Sequence, residues 1–135
     1  MARKTIALSR PRFQSEDGVA AEAITPGHLV MGVTSLTKNT ENGVLVARVF
    51  ALERDEMGDE IDVAYAIGDT VKTGHFAPGD RVLAWVPSGT NVAEGAYLAT
   101  DNGGRLVAVG GGTRIARALE AKNVLADTRI RVELV

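Results

Sequence analysis

Two histidines, six carboxylates between Glu53 and Asp62, a triple glycine at Gly110–Gly112 and the lysine Lys72 are the residues of this 135-residue chain whose types could do chemistry. His28 follows the turn pair Pro26-Gly27 and His75 precedes Phe76, and neither has a second metal-ligand residue type at helical or hairpin spacing. Both read as surface residues beside turns. No Gly-x-Ser-x-Gly elbow marks a nucleophile, so serine-triad chemistry has no local support. Cysteine is absent, which excludes disulfides, thiolate zinc sites and a cysteine nucleophile together. The acidic run Glu53, Asp55, Glu56, Asp59, Glu60 and Asp62 carries the oxygen donors calcium prefers. Counted from Asp55, however, the third position of an EF-hand template is Met57 and the obligatory glycine is Glu60, so the run reads as a solvated acidic loop. Gly110-Gly111-Gly112-Thr113 imitates a phosphate-cradling turn but lacks Gly-Lys-Ser/Thr, and dinucleotide spacing would need a small residue where Ile115 stands. Lys72 resembles the modified lysine of biotin- and lipoate-carrier sandwiches only in its surroundings, since Val71 and Thr73 are not the flanks such a lysine carries. The expectation is no catalytic residue, no metal and no cofactor.

The elements that would have to position any site are short strands. Turn residues recur at Pro26-Gly27, Asn42-Gly43, Gly58-Asp59, Pro78-Gly79-Asp80, Ser88-Gly89 and Asn102-Gly103-Gly104, a spacing that suits a small sandwich or barrel. In Thr128–Val135, Ile130, Val132 and Leu134 alternate with Arg129, Arg131 and Glu133, so a strand with one apolar face is expected. Val63, Tyr65 and Ile67 alternate likewise. Val44–Leu52 and Val82–Val86 are nearly continuous apolar runs, as strands buried on both faces would be, and Leu106–Val109 is a further short strand. From Thr113 to Lys122 the local signal favours a short helix: Ile115, Ala118 and Leu119 fall at helical spacing, and Thr113 can cap. Ile115, Arg117, Leu119 and Ala121 also alternate, so a strand remains open at 113–122.

Residues 1–17 differ in character and read as a flexible basic arm ahead of a single β domain over 18–135. Arg3, Lys4, Arg10 and Arg12 are positive, and Pro11 interrupts any ladder. Ile6 and Leu8 alternate with Thr5, Ala7 and Ser9, so the arm could add as a strand to an edge elsewhere; an ordinary first strand and loop is the equal alternative. In the first case Arg3, Lys4, Thr5, Ile6, Leu8, Arg10, Arg12 and Phe13 are the candidate partner-binding residues, and removing residues 1–14 should leave the domain folded.

Composition agrees with one globular unit. Apolar residues make up 45% and charged residues 24%, and a chain of this length buries roughly two thirds of its unfolded surface. The formal net charge of -2 gives no footprint for gripping a phosphate backbone. No apolar run approaches the ~20 residues of a membrane span, and MARKTIALSRPRF has no apolar signal core. Neither nucleic acid nor membrane is expected as a partner, and nothing suggests export.

The order of these pieces resembles the capsid decoration, or cement, proteins of tailed bacteriophages. The resemblance is carried by Ala23–Val30, Ala51–Arg54, Ile61–Val71, Pro78–Val82, Gly89–Leu98, Asp101–Leu106 and Arg129–Leu134, seven segments in order over residues 23 to 134. It implies a small, mainly β, β-tulip-like domain with no active site. It also implies a homotrimer at three-fold positions on the outer surface of the head, bridging subunits of the major capsid protein and stabilising the expanded shell. In similar proteins the segment matching Ile115–Lys122 is a strand and loop, and the N-terminal arm is mobile until it docks. A small-ligand or glycan-binding β module is the alternative in a different class.

Overall fold

The alternation in Thr128–Leu134 organises half of the molecule. A computed structural model describes residues 5–54, 58, 60–109 and 112–135. In it Ile130, Val132 and Leu134 are completely buried, while Arg129, Arg131 and Glu133 point to the other face. This strand, β12 (Thr128–Leu134), pairs antiparallel with β6 (Arg81–Val86) without a break from Thr128↔Val86 to Glu133↔Arg81. On its other side lie β10 (Ala116–Ala118), β8 (Tyr97–Thr100) and β9 (Leu106–Ala108), completing a five-stranded sheet in the order β6-β12-β10-β8-β9. A second five-stranded sheet has the order β2 (Val30–Met31), β3 (Ser35–Lys38), β1 (Phe13–Ala20), β5 (Thr70–His75) and β4 (Val49–Ala51). Its one parallel pairing joins β1 to β3. A small ribbon pairs β7 (Asn91–Val92) with β11 (Lys122–Asn123). The fold is thus all β among the described residues, and neither five-stranded sheet closes into a barrel.

The larger core joins the two sheets, with Phe50 of β4 and Phe76 meeting Val82, Ala84 and Val86 of β6 and the buried row of β12. A smaller cluster fills the first-sequence sheet with Ile24, Leu36, Tyr65 and Val71 among its members. Tyr65 is buried there without an orphaned hydroxyl: it donates to the Leu52 carbonyl at 2.6 Å and accepts from the Lys72 amide at 3.2 Å. The corners are made where the turn residues stand. Gly27 and Gly79, each after a proline, have φ of 101° and 95°, a region open to glycine and strained for other residues.

Three expectations are corrected, and the element left open at 113–122 contains a strand. The helix favoured locally over 113–122 is absent: Ala116 and Ala118 are buried, Arg117 is exposed, and β10 bonds to β8 and β12 on its two edges. A helix there would forfeit both ladders, so tertiary pairing overrides local propensity. Of the alternating trio, Tyr65 makes only a single bridge to Ile24, and Ile67 is 74% exposed, because the turn Ala66–Asp69 ends the pairing. Only Val49–Ala51 of the run Val44–Leu52 is strand, and Val44 and Leu45 face solvent. In β6, Val82, Ala84 and Val86 are buried but Leu83 and Trp85 are half-exposed, so that strand has one core face rather than two.

The division at residue 17 falls inside β1. Residues 6–8 lie along the otherwise open edge of β6: Ala7 bridges Val82, the Leu83 amide donates to the Ile6 carbonyl at 2.9 Å, and the Leu8 amide donates to Arg81 at 3.0 Å. The chain then crosses at Arg10-Pro11, donates from the Arg12 amide to His75 at 2.9 Å, and enters β1. The segment ties one sheet to the other and is laid against the domain throughout residues 5–17.

Candidate functional site

The predicted partner-binding residues are distributed rather than presented together. Arg3 and Lys4 lie outside the described residues. Ile6 is completely buried in the larger core. Its amide donates to Glu53 at 3.1 Å, and the Thr5 hydroxyl donates to the same carboxylate at 2.6 Å. Glu53, nearly buried itself, is therefore a latch that holds the start of the described chain against the domain. No sequence signal pointed to it, since Glu53 heads an acidic run whose other members look solvated. Leu8, Arg10, Arg12 and Phe13 are exposed, and Arg12 lies 3.6 Å from Asp80. Truncation at residue 14 would thus remove the buried Ile6 side chain from the larger core.

Among its described members the acidic run does not converge. Asp55, Glu56 and Asp59 lie outside the described residues, Asp62 pairs with Arg129 at 2.8 Å, and Glu60 is exposed. Among the described residues no group of three His, Asp or Glu could hold a metal ion. Gly110 and Gly111 are likewise outside the described residues, while Thr113 donates its amide to the Gly43 carbonyl at 2.7 Å. Lys72 sits within β5, not at a hairpin tip where a carrier lysine would be reached.

His28 is not a free surface residue. Its ring stacks on Trp85 with centroids 5.5 Å apart, and its Nδ1 accepts the Thr25 amide at 3.2 Å, which fixes the neutral tautomer with the proton on Nε2. Burial, then the nearby Lys38 charge, lowers its pKa to about 4. Trp85 Nε1 and Arg129 Nε both donate to the Pro26 carbonyl at 2.9 Å, and the Arg129 guanidinium also bonds the Ile61 carbonyl and lies 4.3 Å from the Trp85 ring centre. These contacts clamp the Pro26-Gly27 corner to the outer face of the β6–β9 sheet. His75, the other histidine, meets the exposed Phe13 ring edge-on at 5.1 Å.

Two surfaces remain with the chemistry of contact. The outer face of the β6–β9 sheet carries five of the chain's eleven arginines, Arg81, Arg114, Arg117, Arg129 and Arg131, with Trp85, Tyr97 and Leu83 between them. Glu133 accepts from Arg117 at 2.7 Å and from Arg81 at 3.2 Å, and those bonds, Arg117 first, hold its pKa below the usual carboxylate range. The Arg114 guanidinium lies 4.3 Å over Tyr97. The second surface is a groove beside β1, walled by Phe13, Val33, Leu36, Val49 and His75 with Asp17 among its lining. Phe13 is 59% and Val33 80% exposed. Comparison with protein-family models and with curated proteins finds no match for this chain.

Proposed function

We propose that this protein is a structural virion component, not an enzyme: a decoration protein that binds the outer surface of a tailed-phage head. It stabilises the expanded shell by bridging major capsid subunits as a homotrimer. The observation that carries this reading is the agreement between the resemblance and the corners of the fold. Gly27, Gly68, Gly79, Gly95 and Gly104 lie in five of the seven resembling segments, and each takes a positive φ at a turn of an all-β domain. The ordered motifs are thus structural corners in series, which supports a shared framework more than any one motif could. A framework of this kind suits an adhesive task, where binding energy repeated over many lattice sites matters more than a reactive cleft.

The test is direct. Purified protein mixed with expanded capsids that lack a decoration protein should pellet with them at micromolar concentration. Protein that stays in the supernatant overturns the reading.

A further inference from the structure

Three-fold association cannot be made from one self-complementary patch. A two-fold contact can use the same surface on both partners, but a ring of three requires two different surfaces on each subunit that fit one another. Two such surfaces are present. On and beside the outer face of the β6–β9 sheet, six cations, the five arginines and Lys122 of the β7–β11 ribbon, stand against three carboxylates, Glu120, Glu133 and Asp62, in a chain whose formal net charge is -2. That face is therefore positive while the rest of the molecule is negative. Arginine, tryptophan and tyrosine are also the residue types that dominate the centres of protein–protein contacts. Carboxylates interleaved with the arginines suit a protein surface better than a phosphate backbone, which they would repel.

The groove beside β1 has the opposite character. Its volume is about 210 Å³, below the roughly 300 Å³ at which pockets for drug-sized ligands begin. It suits a protruding side chain. Its apolar walls would take an aliphatic stem, the exposed Phe13 ring offers a face to a cation, and the exposed Asp17, which accepts from Ser15 at 3.3 Å, offers a carboxylate to the head group. Glu16 beside it is exposed as well. An arginine has this combination of stem and head.

We propose that copies of this chain join head to tail, the arginine face of the β6–β9 sheet of one subunit seating on the acidic, apolar groove beside β1 of the next. The contact rests on the trimeric reading above but not on capsid binding, so the two fail separately. Arg114 and Arg117 flank Tyr97 at the exposed end of the arginine face and are the side chains to reverse.

Sedimentation equilibrium of the full chain at micromolar concentration tests this. The wild type should self-associate. Arg114→Glu with Arg117→Glu, and separately Glu16→Arg with Asp17→Arg, should each weaken association by at least about tenfold. A chain carrying all four reversals should associate again, because the charges are exchanged rather than removed. Circular dichroism melts identify any variant that has unfolded, and for a pair that does, Arg114→Ala and Asp17→Asn take its place and should weaken association in the same direction. A wild type that is monomeric, variants that associate undiminished, or a folded four-fold variant that stays monomeric overturns the contact. A monomer that pellets with capsids or retards duplex DNA assigns the arginine face to those partners and also overturns it. Self-association that obeys the charge exchange without capsid pelleting upholds the contact and removes the capsid reading.

Discussion

Acid should destabilise this protein in part through His28. The Nδ1 of His28 accepts the Thr25 amide, so protonation of that nitrogen turns an acceptor into a donor facing a donor. It also places a cation in a half-buried site near Lys38, Arg129 and Arg105. The folded pKa of about 4 lies below the ~6.5 of an unfolded histidine. Above that unfolded value both states are neutral and stability is at its full level. As pH falls from ~6.5 toward ~4 the unfolded chain binds the proton and the folded one does not, so stability is lost across that window. The loss works out at about 2 kcal/mol between pH 7.5 and about pH 5, and about 3 kcal/mol near pH 4. Urea unfolding of the wild type and His28→Gln at the two higher pH values isolates the effect, because all other titrating groups are common to both. The variant will be less stable at neutral pH for want of the Trp85 stacking partner, but its stability should fall less with acid by about 2 kcal/mol. Equal pH dependence in the two proteins, or an imidazole titrating near 6.5 by NMR, would refute the reasoning.

Ile6 and the Glu53 latch that holds it should behave as part of the core. Ile6→Ala is expected to cost 2–5 kcal/mol (about what buried Ile-to-Ala truncations cost) in urea unfolding. Glu53→Gln is expected to cost roughly 1–3 kcal/mol and to speed hydrogen exchange at the Ile6 amide, which loses its carboxylate acceptor. Glycines at similar φ should differ by their surroundings. At Gly32 an added Cβ would lie 2.1 Å from the Ser35 carbonyl oxygen, whereas at Gly89 it would meet nothing within 4 Å. Gly89→Ala should therefore show only the strain of its dihedral, about 1–2 kcal/mol, and Gly32→Ala should lower the melting temperature much further.

Legibility followed the range of the interaction. Thr128–Leu134 could be recognised because one-sided burial writes a period of two into a strand, and the Pro-Gly corners could be placed because the required φ is a property of the residue itself. The stretch 113–122 was ambiguous because Ala, Leu, Glu and Arg favour a helix, while the partners that hold β10 extended lie elsewhere in the chain, at Tyr97–Leu98 and Val132–Leu134. The candidate site was the least legible. His28 and Trp85 are far apart in sequence, as are Thr5 and Glu53, and no local pattern signals that either pair will meet.

By itself, then, the sequence determined the class of the fold, the corners and the face of the clearest strand, all of which depend on near neighbours. The tertiary structure decided that residues 5–17 belong to the body, that β10 is a strand, and that Arg81, Arg114, Arg117, Arg129 and Arg131 share one face. The reason is that burial, charge clustering and edge pairing are properties of pairs distant along the chain, and only closing the sheets brings those pairs together.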